Sequence, residues 1–161
     1  MTDLNAPEAS ARLSALAAEA WDGFLATQPV FATSLGDRRF DDRLSPNGPG
    51  ASEANGERID ALLRRARALD PAGLSPADRV TRDALIDFLG SELDLVDAGL
   101  DQWSVDPLDG PQVDFLNIPS FQTTRDRAEA EALVARWREL GPWVDRLTDS
   151  TRACVMAVTR G

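Results

Sequence analysis

Residues 75–96, SPADRVTRDALIDFLGSELDLV, carry the clearest helix signal in the chain. Ser75 suits the N-cap, Pro76 the first helical position, and Asp78 the first turn. Gly99 is a natural stop after the helix. The apolar residues between these signals recur at helical spacing and predict one broad core-facing stripe. They are Val80, Ala84, Leu85, Phe88, Leu89, Leu93 and Val96.

Helical patterns also fill the chain before this stretch. We predict a first helix over residues 7–26, a short one after Gln28-Pro29 that Gly36 ends, and a third over residues 52–69. The apolar face of the first helix includes Trp21. Between Gly36 and residue 52, charges, prolines and glycines predict a loop.

The chain after Gly99 is less regular. Residues 102–122 are rich in large apolar side chains, yet their prolines predict an ordered loop packed against something rather than a helix. A short strand over residues 113–118 is the alternative. Residues 123–126 resemble a capping box and predict a helix that includes Trp137. Gly141-Pro142 breaks or kinks that helix, and a last helix follows with Trp143 on its core face.

These patterns together predict an all-α fold. We expect five to six helices with one long, ordered, apolar, proline-rich loop. Residues 1–161 are long enough for one domain, and we expect a single helical unit that is the N-terminal portion of a larger domain.

The composition excludes several kinds of chemistry. With no histidine and one cysteine, the chain alone cannot be a histidine-dependent enzyme or hold a zinc ion through histidine or several cysteines. All 17 basic residues are arginine, which excludes Schiff-base chemistry and a P-loop lysine. A net charge of −10 repels phosphate backbones, so we expect no nucleic-acid partner. No apolar run suits a membrane helix and no signal peptide is visible, so we expect a cytoplasmic protein without membrane contact.

Two acidic groups are candidates for chemistry. The loop from Asp37 to Arg43 alternates acids and arginines, but it lacks the ligand spacing of a calcium loop. We interpret it as a loop held by ion pairs and side-chain-to-backbone bonds. Asp106, Asp109 and Asp114 lie in the proline-rich segment and could do acid–base work, although turn capping explains them more simply.

A groove or interface is the most plausible site in this chain. Trp103 lies in the irregular apolar segment, where an indole can line a groove. Asp106, Asp109, Phe115 and Phe121 share that segment and complete the candidate set. We expect no catalytic residue, no metal ligand and no cofactor in the chain.

Three stretches in order resemble one family of bacterial proteins. They are PVFATSLGDRRFD at residues 29–41, LSPADRVTRD at residues 74–83 and DPLDGPQV at residues 106–113. The set is similar to the N-terminal region of the domain-of-unknown-function 885 family. The resemblance covers nearly all of the chain and the first third of a typical member.

The resemblance implies a function for the family and a different role for this chain. Members are long helical proteins that look like zinc metallopeptidases, with a His-Glu-x-x-His motif in their later part. This chain lacks that motif, so the resemblance implies a non-catalytic N-terminal helical segment. The alternative is an independent helical module that binds a protein or peptide, and a carboxylate-based enzyme ranks last. The N-terminal segment predicts self-association through exposed apolar surface, including that of the last helix, and the module predicts a protein or peptide partner at exposed apolar surface.

Overall fold

The computed structural model describes residues 6–48, 50–99, 106, 108 and 110–158. Within them it contains six α-helices, two 3-10 turns (Arg38–Phe40 and Pro71–Gly73) and no strand, which confirms the all-α fold. The helices are α1 (Ala6–Thr27), α2 (Pro29–Ser34), α3 (Ala51–Arg67), α4 (Pro76–Asp97), α5 (Pro111–Phe121) and α6 (Arg127–Val158). No helix in the described ranges is long and apolar enough to span a membrane.

The chain divides into two compact units. Unit 1 comprises residues 1–23 and 53–98, and unit 2 comprises residues 24–52 and 99–161. The prediction of one helical unit within a larger domain stays a prediction.

Unit 1 is built around one apolar cluster. Residues from α1, α3 and α4 meet there, at the periodic positions that the sequence indicated. The buried members are Leu13, Leu16, Ala20, Ile59, Leu62, Leu63, Ala66, Leu74, Leu85 and Leu89. Trp21 and Val80 were predicted to face the core, but they are 46% and 70% exposed. The predicted stripes are therefore wider than the surface that the neighbouring helices cover.

Two residues explain how α3 and α4 approach and stay aligned. A Cβ atom on Gly56 would lie 3.2 Å from Cγ1 of Val96, so glycine permits the close approach despite its low helix propensity. The Arg82 side chain donates to the carbonyl oxygens of Leu69 (2.9 Å) and Arg67 (3.1 Å), which end α3. This bond pair satisfies carbonyl groups that a helix C-terminus leaves without partners.

The N-terminus of α4 confirms the predicted cap. The Ser75 hydroxyl oxygen accepts a hydrogen bond from the Asp78 N–H at 3.1 Å, and Pro76 occupies the first turn. We expect Ser75→Ala to lower the free energy of unfolding by about 1 kcal/mol, the usual loss of an N-cap. Urea unfolding followed by circular dichroism measures this loss. Ser75→Asp is the matched control and should retain most of the stability, and an unmoved midpoint in Ser75→Ala would contradict the assignment.

Unit 2 has its own apolar cluster. Leu44, Ile118 and Trp143 are buried in it, and the Trp143 ring meets the Phe115 ring edge to face at 5.1 Å. The partly buried residues around them are Val30, Phe115, Phe121, Leu133, Leu140 and Leu147. The prediction that Trp143 faces the core is confirmed.

Helix α5 corrects the prediction of a proline-rich loop without a helix. Its 11 residues lie within the segment where a loop, or alternatively a strand, was expected. Pro111 occupies the start of the helix, where no N–H donor is needed. Pro119 lies in the last turn and is exposed, so the helix loses a bond only where it is about to end. Ile118, 1% exposed, anchors this turn in the cluster.

Helix α6 corrects the predicted break at Gly141-Pro142. It runs for 32 residues with Pro142 inside it. Contacts in the two turns after the proline fix the helix to residues 45–47. The indole N–H of Trp143 donates to the Ser45 carbonyl at 2.7 Å, and one turn later Arg146 donates to the Asn47 side chain at 2.9 Å. Tertiary contacts thus outweigh the loss of one backbone bond.

The cap of α6 also lies later than predicted. Asp126, rather than Thr123, accepts the Glu129 N–H at 2.9 Å, and the Glu129 carboxylate accepts the Arg125 N–H at 2.7 Å. This pair resembles a capping box shifted by three residues from the expected start, but Glu129 bonds the residue before the N-cap instead of the N-cap itself. Trp137, which was predicted to face the core, is 39% exposed.

Candidate functional site

Four buried polar residues of the described chain lie together in unit 2. Thr33, Asp41, Gln122 and Arg136 are each exposed by 3% or less. They come from α2, from the turn after it, from the end of α5 and from α6. We call this group, with the partly exposed Arg38 beside it, the Arg136 cluster.

The guanidinium group of Arg136 is the centre of the cluster. It donates to acceptors from three other segments of the chain. They are the carbonyl oxygens of Phe40 (2.7 Å), Arg43 (3.0 Å) and Pro29 (3.4 Å), the Thr33 hydroxyl (2.8 Å) and the Gln122 side-chain oxygen (2.5 Å). The planar fork of arginine suits this role, because its donors point in several fixed directions.

Asp41 supplies the negative charge of the cluster. Its Oδ1 accepts a hydrogen bond from the Thr33 hydroxyl, with 2.7 Å between the two oxygens, and lies 3.9 Å from Nη2 of Arg136. Its Oδ2 lies 2.7 Å from Nε of Arg38, in an ion pair whose N–H is not aligned as a hydrogen bond. The Gln122 amide donates to the Asp41 carbonyl at 2.9 Å. Both carboxylate oxygens are therefore engaged within the protein.

Burial and charge oppose each other at Arg136. Burial lowers the pKa of Arg136, and the nearby carboxylate of Asp41 raises it. Since an arginine side chain starts from a very high pKa, it remains protonated at neutral pH. A buried cation that is permanently charged and faces an aspartate and several carbonyl groups links segments of the chain. It does not take part in proton transfer.

A second carboxylate extends the network towards the surface. Glu129 lies 2.7 Å from the Arg125 guanidinium and 3.5 Å from that of Arg38. Hydrogen bonds from the Arg125 side chain and backbone lower the pKa of Glu129 to about 2, and the charge of Arg38 adds a smaller effect. Arg38 also donates to the Thr123 carbonyl at 2.7 Å. The start of α6 is thus joined to the 3-10 turn.

The lowered pKa of Glu129 predicts a pH-dependent stability. In the unfolded chain the pKa of a glutamate is ~4.3, well above that of Glu129 in the folded chain. The folded chain therefore binds a proton at Glu129 less tightly than the unfolded chain, and acid favours unfolding. The contribution is fully present above about pH 5 and disappears as the pH falls to about 2. We expect the urea midpoints of wild type and Glu129→Gln to converge over this range.

Glu131→Gln is the matched control for this experiment. Glu131 is on the same helix and has one exposed ion pair, with Arg127. Its removal should change the midpoint little at any pH, since exposed pairs contribute little. A midpoint difference for Glu129→Gln that stays constant from pH 5 to pH 2 would contradict the assignment of the shift to Glu129.

The loop from Asp37 to Arg43 is held as the sequence interpretation described. Asp37 accepts the Arg39 N–H and pairs with its guanidinium at 2.6 Å, and Asp41 pairs with Arg38. The sequence did not indicate that Arg136, far along the chain, ties the same loop to α6. One signal was present: Arg136 interrupts the apolar positions Leu133, Leu140 and Trp143 at core spacing.

The predicted groove residues lie in different surroundings. Asp106 accepts the Leu108 N–H at 2.7 Å, and its carbonyl accepts the Gly110 N–H at 2.9 Å, so it stabilises the turn before α5. Asp114 lies in the first turn of α5. Phe115 and Phe121 pack against the unit 2 cluster. Trp103 and Asp109 lie outside the described residues, so the groove as a whole stays a prediction.

An open groove lies on the C-terminal half of α6. Its volume is about 390 Å³, and it is largely apolar. The lining residues are Leu147, Thr148, Thr151, Arg152, Val155 and Met156. In the described part of the chain, no group of three or more carboxylate or thiol side chains is arranged to hold a metal ion.

Comparisons with known proteins complete these observations. Neither the curated proteins nor the solved structures give a match to this chain. One family model does match, over residues 29–159. That range includes α2 to α6 and, with them, the Arg136 cluster. The match covers most of the chain, and the protein therefore belongs to the family described as bacterial protein of unknown function (DUF885).

Proposed function

We propose that this chain is a non-catalytic helical scaffold within a zinc-metallopeptidase-like protein of the DUF885 family. The chain forms the N-terminal helical part, and a zinc-binding His-Glu-x-x-His motif lies in another part of the protein. Two histidines one turn apart on a helix bind zinc, and the glutamate between them acts as the base. These 161 residues contain no histidine. The chemistry therefore belongs to residues that this chain does not contain.

The Arg136 cluster is the observation that carries the proposal. A catalytic site would present a carboxylate or other titrating group to a cleft that a substrate can enter. In this cluster the Asp41 carboxylate is 3% exposed, and both of its oxygens face side chains of Thr33, Arg38 and Arg136. Such an arrangement fixes α2, the turn that follows it, the end of α5 and α6 relative to one another. Fixing helices is the task of a scaffold.

Zinc titration tests the non-catalytic part of the proposal. We expect isothermal titration calorimetry of the purified chain to show no one-to-one zinc site of submicromolar affinity, since only carboxylates and one thiol are present. The matched control is the double variant Arg127→His with Glu131→His. These exposed positions lie four residues apart on α6, so the two histidines can bind one zinc ion. Submicromolar binding by the wild-type chain would contradict the proposal.

The reading frame tests whether the chain belongs to a longer protein. We expect the genomic DNA after the codon for Gly161 to continue in frame and to encode His-Glu-x-x-His. A stop codon at that point, with no such motif in the following sequence, would contradict the scaffold proposal. This outcome is independent of whether the chain associates with itself.

Exposed apolar side chains favour a second candidate, an independent module that binds a protein or peptide. Leu108 and Leu116 are 78% and 79% exposed, and Val144 on α6 is 43% exposed. Exposed large apolar side chains are candidate contacts for such a partner. A purified chain that unfolds cooperatively and remains monomeric would favour the module over the scaffold.

A further inference from the structure

A stripe of exposed and partly exposed residues runs along α6, beside the positions that pack in unit 2. Its members alternate three and four residues apart, the spacing of a two-helix coiled coil. They are Val134, Trp137, Gly141, Val144, Thr148, Thr151 and Val155. Val134, Trp137 and Val144 are 45%, 39% and 43% exposed. We call this set the α6 stripe.

Charged residues of alternating sign flank the stripe. Glu131, Arg138, Asp145 and Arg152 recur every seven residues, and all four are exposed. Seven residues separate two positions by about 10.5 Å along a helix, which is too far for ion pairing within α6. In the described part of the chain, no ion pair involves Arg138 or Asp145. This flank therefore offers charges to a second helix.

The order of negative and positive charges along this flank favours a second copy of α6 that runs antiparallel to the first. If Gly141 faces Val144 of a second copy, the small glycine lets the two helices approach closely at the centre of the stripe. In this register Arg138 lies beside Asp145 of the second copy, and the two-fold symmetry repeats the pair. A parallel pair of α6 helices would place this flank beside Leu140 and apolar neighbours instead, without complementary charges.

The outer charges agree with the same register. Glu131 of one copy lies beside Arg152 of the other, again twice by symmetry. Each of these residues already has an exposed neighbour of opposite charge within α6: Arg127 at 2.7 Å from Glu131, and Asp149 at 3.7 Å from Arg152. Such exposed pairs contribute little and can exchange partners. All the flank charges of the two helices are then complementary.

The groove on α6 supplies an independent observation for this register. When Gly141 faces Val144, Trp137 of one copy faces Thr148 of the other. Thr148 and Thr151 line the open groove of about 390 Å³. A large indole from one helix thus meets the open, largely apolar groove beside Thr148 and Thr151 of the other.

We infer that a second copy of this chain binds along the α6 stripe, with the two α6 helices antiparallel and Arg138 paired with Asp145 of the other copy. The inference goes beyond the scaffold role, because it names the helix face, the direction and the charge pairs through which two copies associate. The contact is a single pair of helices, which is small for a stable dimer. We expect a dimer dissociation constant on the order of 10 µM.

Charge reversal tests the pairing. Sedimentation equilibrium of the 161-residue chain at one ionic strength measures the dimer constant. Arg138→Glu alone and Asp145→Arg alone each create two like-charge contacts and should weaken the dimer about tenfold. The double variant again places opposite charges beside each other, with their positions exchanged. Its dimer dissociation constant should be within about threefold of the wild-type value. Glu139→Arg, an equal change of charge on the side away from the stripe, is the control and should leave the constant unchanged.

Trp137→Ala tests the groove, and it should also weaken the dimer about tenfold or more. Circular dichroism establishes that each variant is folded. If a single variant does not fold, the dimer constants of the double charge variant and of Glu139→Arg still test the pairing of Arg138 with Asp145. A wild-type chain that remains monomeric at several hundred micromolar overturns the inference, as does a double variant no stronger than the single ones.

A distance measurement tests the direction of the helices. Spin labels attached through Arg127→Cys, in a Cys154→Ser background, lie at the start of α6 in each copy. In the antiparallel register residue 127 faces residue 158 of the other copy, so the labels are about 46 Å apart along the axis. Electron paramagnetic resonance should give a distance near that value, and a distance below about 20 Å would overturn the antiparallel arrangement.

Discussion

Replacement of Arg136 by methionine should be the most damaging single substitution in unit 2. We expect Arg136→Met to lower the free energy of unfolding by about 3–5 kcal/mol, the usual loss when one partner of a buried ion pair is removed. Asp41 would lose a cation inside the protein, and the carbonyl groups of Phe40 and Arg43 would lose their donor. Urea unfolding followed by circular dichroism measures the loss.

Three further variants separate the causes of that loss. Arg136→Lys keeps the charge but cannot reproduce the fork of donors, so an intermediate loss is expected. Adding Asp41→Asn to Arg136→Met should cost less than the sum of the single changes, because the two side chains interact within one buried network. Arg127→Met, at a side chain that is 91% exposed, is the control. A change below about 1 kcal/mol for Arg136→Met would contradict the central role of this residue.

The second large effect is expected in unit 1. Leu89 is 1% exposed within the cluster formed by α1, α3 and α4. We expect Leu89→Ala to lower the free energy of unfolding by about 2–5 kcal/mol, from the lost burial and the cavity that remains. Thermal and urea unfolding of the purified chain measure this change.

Val80→Ala on the same helix is the matched control. The sequence placed Val80 and Leu89 on one apolar stripe, but Val80 is 70% exposed. We therefore expect a change within about 0.5 kcal/mol, as for surface substitutions elsewhere. Equal losses at the two positions would mean that the α4 surface around Val80 is covered in solution.

The Arg136 cluster shows why the candidate site could not be predicted from sequence. Asp37 to Arg43 stood out because acids and arginines are adjacent there, and adjacency predicts local ion pairs. Arg136 binds the same loop from 93 positions away along the chain, as measured at its bond to Arg43. No local pattern contains that separation. The one local signal for the burial of Arg136 is its place among the apolar positions of a predicted helix.

Elements whose signals are local could be predicted from the sequence. The cap at Ser75, the positive-φ stops at Gly36 and Gly99, and the periodic faces of α1, α3 and α4 depend on contacts within one or two turns. Family membership follows in the same way, from three ordered stretches of residues. The absence of histidine limits the chemistry without any structure.

The positions where proline is tolerated, and the apolar side chains that are covered, depend instead on contacts between distant segments. Pro119 and Pro142 are strong local signals against a helix, yet α5 and α6 continue through them. Burial of Ile118 and Trp143 stabilises those helices by more than one missing backbone bond costs. Periodicity likewise gives the direction of a helix face but not the width that its neighbours cover, which is why Val80 and Trp137 are exposed. Both the tolerance of proline and the burial of a side chain depend on the total energy of contacts between segments that are distant in sequence. A local pattern of residues carries no information on those contacts.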